Sequence, residues 1–292
     1  MKPREFAKPF RVADGTHFRL KDFDPADTRG LKSKEHAREA LDRGIARLSE
    51  LQEKLYAQDR WAVLMILQAM DAAGKDSTIK HVMSGVNPQG CQVTSFKTPS
   101  LEDLQHDFFW RTTRSLPQRG MIGIFNRSYY EEVLVVRVHP EILARELMPD
   151  QLVSGKIWEE RFADINAYER YLSRNGIVVL KLFLNVSKQE QKRRFLDRLD
   201  EPEKNWKFSA ADVKERGFWK DYMEAYEEAI QSTATKHAPW YVVPSDNKWF
   251  ARLVVASAIV EALHGLDLAF PQIDKAKKKE LEEIRENLVE GN

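Results

Sequence analysis

Gly74 and Lys75, followed by Asp76, Ser77 and Thr78, stand a few residues after the apolar run WAVLMIL at 61–67. A glycine that permits close backbone approach, a lysine beside it and a hydroxyl nearby are the parts of a phosphate-binding loop. There, backbone N–H groups and a helix N-terminus converge on an anion. In LQAMDAAGKDSTIK (67–80) the first glycine of the G-x-x-x-x-G-K-[ST] pattern is Ala69, and Asp76 follows the lysine. On spacing alone the match is partial, and an ordinary strand-to-helix turn competes with it. The apolar run before the loop and Lys75 at the helix start favour phosphate. Asp71 is out of place in such a loop: at ~4 Å and an effective dielectric near ~20, a carboxylate repels a unit phosphate charge by about 4 kcal/mol.

A second apolar run, MIGIF at 121–125, ends in NRSYYEE. A nucleotide phosphotransferase often places an acidic metal-positioning residue at this point; here it is Asn126, followed by Arg127. Asparagine can accept a hydrogen bond from metal-bound water but brings no charge. The guanidinium forks onto phosphate oxygens and is equally suited to a helix carboxylate. The densest basic excess, KQEQKRRFLDR at 188–198, carries five basic and two acidic side chains, and alone reads as a solvated helix face. The seven histidines form no metal constellation; His81 and His106 fall in predicted helices and His139 precedes a proline, all structural positions. Trp110, Trp206, Trp219 and Trp249 could stack on a base, but core packing is the better expectation for each.

The elements that must position these groups follow from the hydrophobic pattern. WAVLMIL (61–67), CQVTSF (91–96), MIGIF (121–125), IVVLKLFL (177–184) and WYVV (240–243) are short apolar runs without clean alternation, as expected of parallel strands covered on both faces. Helices lie between them, and Ser100 with Asp103, Ser187 with Glu190 and Ser209 with Asp212 fit the capping-box pattern at helix starts. Strand–helix alternation predicts an α/β sheet with right-handed crossovers. Leu41, Ile45, Leu48, Leu51 and Leu55 make an amphipathic helix within 33–57, residues 1–30 read as an extended arm, and 274–292 as a charged terminal helix.

At 292 residues, 42% hydrophobic and 31% charged, the chain is expected to build one domain over 1–292. A single cysteine, Cys91, excludes a disulfide framework or cysteine zinc cluster and suits a reducing cytoplasm. No signal-peptide core opens the sequence, and its longest apolar stretch, Leu253 to Leu263, is short and contains Glu261, so a soluble protein with no membrane partner is expected. The net charge of +1 does not point to nucleic acid; any polyanion must be met locally.

Together these stretches resemble the polyphosphate kinase 2 family. The resemblance rests on MDAAGKDSTIKHVMSGVNPQG (70–90), SFKTPS (95–100), HDFFWR (106–111), LPQRGMIGIFNRSYYEEVLVVRVHP (116–140) and EKNWKFSAADVKER (203–216), and spans about Trp61 to Leu263. It implies a P-loop kinase-like three-layer sandwich with a central five-stranded parallel sheet and a helical lid at about 188–220. It also implies reversible phosphoryl transfer between inorganic polyphosphate and nucleotides with Mg²⁺, or Mn²⁺ in its place. Asp71 and Lys75 match the family's Walker A aspartate and lysine, and Arg127 its Walker B arginine. Asn126 is a recognised variant where other members have aspartate, and its presence bears on the metal ligands and the acceptor.

In that setting Asp71 becomes an oxygen ligand for Mg²⁺, and Lys75 and Arg127 neutralise the transferring phosphoryl group. Ala73, Gly74, Asp76 and Ser77 complete the phosphate site, with capping or pairing on the helix face as the other reading of Asp76. Asn126 and Glu131 are candidates on the nucleotide side, with a solvated glutamate as the other reading of Glu131. Arg194 and Arg198, four apart on one helix face beside the apolar ridge of Phe195 and Leu199, would be held over a phosphate chain. Lys97 and Arg111 are further polyphosphate candidates, as are Lys204 and Lys207 in the lid. Adenine mono- and diphosphates, with guanine as a further base, are the expected acceptors, and a homo-oligomer the expected assembly. The competing functions are an ATP-dependent nucleoside monophosphate kinase and a non-catalytic polyanion-binding module. Ala69 and Asn126 favour the latter, while Asp71, Lys75 and Arg127 oppose it.

Overall fold

A computed structural model describes residues 5–31 and 34–289; the side chains of Lys204 and Lys207 also lie outside the described residues. The strands are β1 (Arg11–Val12), β2 (Ala62–Gln68), β3 (Cys91–Ser95), β4 (Ile122–Asn126), β5 (Ile177–Asn185) and β6 (Trp240–Pro244), in the order β1-β6-β5-β2-β4-β3. The five apolar runs of the sequence are the five parallel strands, and β2 and β6 are buried at every residue.

The helices are α1 (Lys34–Gln58), α2 (Lys75–Val82), α3 (Leu101–Leu104), α4 (Trp110–Thr113), α5 (Val135–Val138), α6 (Pro140–Leu143), α7 (Ile157–Arg174), α8 (Lys188–Asp200), α9 (Ala210–Gly217), α10 (Trp219–Thr233), α11 (Lys248–His264) and α12 (Lys275–Val289). Helices α1 and α2 pack on α11, which lies against β5 and β6, while α7 packs on β5 and on α10. The sheet lies between these helical groups as the middle of three layers. Of the expected capping boxes, those at Ser100 and Ser209 close reciprocally; Ser187 accepts from the Glu190 N–H alone.

Two expectations need correction. Strand β3 is not covered on both faces: it is an edge strand with β4 as its only neighbour, and Val93 is 53% exposed. The arm, described from residue 5, is not merely extended. It adds β1 antiparallel to β6 and buries Phe6, Phe10, Val12, Phe18 and Leu20. The Phe10 ring meets Phe250 edge-on at 5.9 Å, and the Ala7 N–H donates to Ser257 Oγ at 3.0 Å. A Cβ on Gly15 would stand 2.0 Å from the carbonyl oxygen of Gln231, so only glycine lets the arm lie this close to α10. The sequence period is missing here because the arm drapes its aromatics over the sheet edge and α11 instead of forming a helix or long strand.

Residues 188–220 comprise α8, a 3-10 turn at Pro202–Lys207, α9 and the start of α10. Helix α12 has no buried residue, and Leu281, Ile284 and Leu288 are exposed along it.

Truncating a buried phenylalanine removes its transfer free energy and leaves a cavity. Phe10→Ala should therefore lower unfolding stability by about 3 kcal/mol, measured by urea denaturation. A change below ~1 kcal/mol would mean that the arm is not part of the cooperative fold.

Candidate active site

The candidate phosphate loop leaves β2 at Gln68 and enters α2 at Lys75. Two of its residues are left-handed: Gly74, the N-cap, at φ +108, where glycine is unstrained, and Ala72 at φ +60, where a Cβ is not. The Ser77 hydroxyl donates to the Gly74 carbonyl at 3.0 Å and tightens the first turn of α2.

Lys75 folds back so that Nζ donates to the Ala69 carbonyl at 2.8 Å. Burial, and then the nearby Arg127 guanidinium, bring its ammonium down to about 8, against the upward pull of Asp71, Glu131 and Asp76.

Asp71 is compensated by a cation. Its Oδ1 accepts from Arg127 at 3.0 Å, and Arg127 donates from its other amino nitrogen to Glu131 at 3.2 Å. Gln68, at the end of β2, donates to the remaining oxygen of Glu131 at 2.9 Å. Glu131 first, and Asp71 as well, hold the Arg127 guanidinium charged far above neutrality. Arg127 itself is left-handed at φ +68, a conformation that a non-glycine residue keeps only when its surroundings fix it. Asn126 donates to Asp76 at 2.8 Å, tying the end of β4 to the start of α2. Both carboxylates of the loop are thus held by partners from the β4 end. Asp71, Lys75, Lys97, Asn126 and Arg127 line a cleft of about 810 Å³.

Residues 31–270 match the family described as Polyphosphate kinase 2 (PPK2). The chain belongs to that family. It is 53% identical over 283 residues to an ADP-polyphosphate phosphotransferase of Rhodopseudomonas palustris, covering 97% of this chain and 98% of the relative. Against an AMP/ADP-polyphosphate phosphotransferase of Meiothermus ruber it is 45% identical over 273 residues, covering 93% and 98%. The crystal structure of polyphosphate kinase 2 from Arthrobacter aurescens TC1 superposes with a TM-score of 0.87 at 41% identity, over 96% of this chain and 97% of that one. The chain is accordingly an enzyme, a kinase that transfers phosphoryl groups between polyphosphate and nucleotides.

In this polyphosphate kinase two arginines of α8, Arg194 and Arg198, have different surroundings. Arg194 is 3% exposed, and all five of its N–H groups have partners. One amino nitrogen donates to the carbonyls of Ala72 and Ala73 at 3.0 and 2.7 Å, the other to those of Ser245 and Asp246, and Nε to Glu190 at 2.7 Å. Gln191 adds a bond to the Asp71 carbonyl at 3.0 Å. Both arginines line the cleft, but their donors differ: Arg194 clamps the loop backbone, and Arg198 lies 3.9 Å from the Asp212 carboxylate of α9. Burial and then the charge of Asp71 push the Asp212 carboxyl up, so these two acids feel each other across the cleft.

Arg111 is likewise placed behind the wall. It donates to the Lys97 carbonyl at 2.8 Å and pairs with Glu132 at 3.4 Å, bracing the segment that carries exposed Lys97. Glu131 is held by Arg127 and Gln68 and is not a solvated glutamate. Ala73 is buried and offers the site only its backbone. Among the tryptophans the core expectation fails for Trp206, which is 79% exposed at the cleft; Trp219 and Trp249 pack against the core, and Trp110 stacks on His106 at 4.1 Å. The pattern did not single out Gln68, Gln191, Asp212 or Lys248 as site residues. A glutamine closing a wholly apolar strand was the one visible signal among them.

Two outcomes follow from this geometry. Arg194→Lys cannot replace five directed bonds and should lower stability by about 3 kcal/mol, together with kcat. If the protein keeps its stability and only the KM for polyphosphate rises, Arg194 is a substrate contact. For Lys75, the protonated form binds anion, so kcat/KM should be level below about 8 and fall as pH rises through that value. A profile flat to pH 10 would show that Lys75 carries no such charge duty.

Proposed function

We propose that this polyphosphate kinase phosphorylates adenine mono- and diphosphates, AMP to ADP and ADP to ATP, using inorganic polyphosphate and Mg²⁺, with Mn²⁺ as substitute and guanine nucleotides as further acceptors. The observation that carries the reading is Arg127, held between Asp71 and Glu131 beside Lys75 at the mouth of a phosphate loop. The names of the Rhodopseudomonas and Meiothermus relatives support the two acceptors.

The residues fit a divalent cation. Among the described residues no group of three or more histidine, cysteine, aspartate or glutamate side chains forms a self-sufficient metal cage. Mg²⁺ in phosphoryl transfer is held by one or two carboxylates together with substrate phosphates. Asp71 has the hard oxygen donors for it, and the raised Asp212 carboxyl marks a region where a cation relieves repulsion. Bound there, the ion would neutralise phosphate charge and hold donor and acceptor oxygens together.

The acceptor phosphate oxygen is already an anion, so the reaction needs alignment and charge neutralisation more than a base. That oxygen bonds to the terminal phosphorus of polyphosphate while the bond to the next bridging oxygen breaks, and the shortened chain takes the electron pair. Lys75 and Arg127 receive the charge on the transferring group, and the Gly74 turn and the α2 N-terminus supply N–H donors. Arg198 and Lys97, which both line the cleft, would hold the rest of the chain. Self-association is part of the proposal, supported by the exposed stripe on α12. A cytoplasmic setting is supported by the single cysteine, and the absence of a nucleic-acid partner by the net charge of +1. No helix among the described residues is long and apolar enough to cross a membrane.

Luminescent detection of ATP from ADP, polyphosphate and Mg²⁺, with AMP in a parallel arm, tests the reading. Conversion of AMP by ATP with polyphosphate inert would overturn it in favour of a monophosphate kinase. Asp71→Asn keeps the shape of the side chain but removes its charge. It should cut kcat by ~100-fold or more while leaving polyphosphate binding in chelator unchanged or tighter. Normal turnover of this variant at equal Mg²⁺ would leave Asp71 a mere turn residue.

A further inference from the structure

Behind Arg127 lies a polar cluster sealed from solvent. Glu169 on α7 and Lys181 on β5 are both 0% exposed, as are Tyr129, Tyr130 and Thr233. Lys181 Nζ donates to Glu169 at 2.6 Å, to the Thr233 carbonyl at 2.7 Å and to the Tyr130 hydroxyl at 3.1 Å, which uses its three protons. The second oxygen of Glu169 accepts from the hydroxyls of both Tyr129 and Tyr130, at 2.9 and 2.8 Å.

A buried ion pair adds little stability over a well-packed apolar pair of the same size, because desolvation offsets the attraction. Its distinctive contribution is directional, since it fixes where two tyrosine hydroxyls must sit. Those tyrosines are the core-facing side of one short turn, whose other side carries Arg127, which lines the cleft, and Glu131, which is bonded to it. Other bonds hold the backbone and flanks of that turn: the Arg127 N–H to Leu67, the Tyr130 N–H to Ser128 Oγ, the Glu131 N–H to the Ser128 carbonyl, and Arg161 and Arg111 to Glu132; the tyrosine hydroxyls tie it to α7 and β5. Left-handed Arg127 needs such an anchor.

We propose that the buried Glu169–Lys181 pair is the positioning device of the active site, holding Arg127 and Glu131 in register with Asp71 through the hydroxyls of Tyr129 and Tyr130. The proposal rests on the role given above to Arg127. Neither Glu169 nor Lys181 touches substrate; both act through the turn, so their loss should lower kcat and leave ground-state binding alone.

The experiment is a double-mutant cycle. E169L/K181M removes both charges together, so no unpaired ion is left in the core, and Y129F/Y130F removes only the hydroxyls and serves if the first variant does not fold. Each is made in the natural chain and in Arg127→Ala, and ATP formation from ADP and polyphosphate is followed. The expected result is a kcat loss of ~10-fold or more in the natural background, KM values within about twofold, and less than about twofold further loss when Arg127 is already alanine. Unchanged kcat with a lowered melting temperature, or equal losses in both backgrounds, would overturn the proposal and leave the pair as packing.

Hydrogen exchange gives a readout independent of turnover. In the same variants it should rise over 127–133 and stay low in β5 and α7. A rise shared by β5 and α7, or none over 127–133, would also overturn the proposal. An unaltered chain that makes no ATP from polyphosphate would instead overturn the functional reading, with the exchange result still deciding the positioning role.

Discussion

Five hydrogen bonds from one side chain fix the relation between the parts of this enzyme. The Arg194 guanidinium reaches from α8 to the carbonyls of Ala72 and Ala73 in the phosphate loop and of Ser245 and Asp246 after β6, with Glu190 on its Nε. A loop that must aim its N–H groups at an anion turns its carbonyls away from it, and those carbonyls still need donors. Arg194 supplies them in a buried place where water does not compete. It also supports Ala72 in a left-handed conformation that alanine would not choose. Helix α8, the loop after β2 and the segment after β6 therefore share one fixed point.

A comparable logic governs the carboxylates. An acid in an anion-binding loop is tolerable when a cation shares it. Asp71 leans on Arg127, Arg127 on Glu131, and Glu131 on Gln68, a chain that returns from the end of β4 to the end of β2. The two strands are adjacent and parallel, with Leu67 opposite Asn126, so the sheet register delivers these residues to one another.

Much of this was legible in the residues. Five unalternating apolar runs gave five parallel strands, and Gly74 with Lys75 after the first of them gave the turn from β2 into α2. Asp71 and Arg127, distant in sequence, were both singled out, although nothing in their spacing stated that they bond. Direction was what the pattern lacked. Arg194 and Arg198 share a helix face by count, but one lies under carbonyls and the other over the cleft, a difference made by loops from distant parts of the chain. The arm was misjudged for a related reason: its phenylalanines follow the sheet edge and α11, and a period detects only elements that repeat. Lys181, a lysine inside an apolar strand, was a visible anomaly, and its partner on α7 appears only once the helix is laid on the sheet.

Trp206 gives the protein an optical property. Of the seven tryptophans it alone is exposed, at 79%, while Trp240 is fully buried and the others are half-buried. Its indole is therefore the one most open to a collisional quencher dissolved in water. Among the tryptophans it is the one that lines the cleft, so a molecule bound there would shield that ring. Accessibility of its emission to iodide would then report occupancy of the cleft without label or turnover, a property that comes from having one tryptophan exposed.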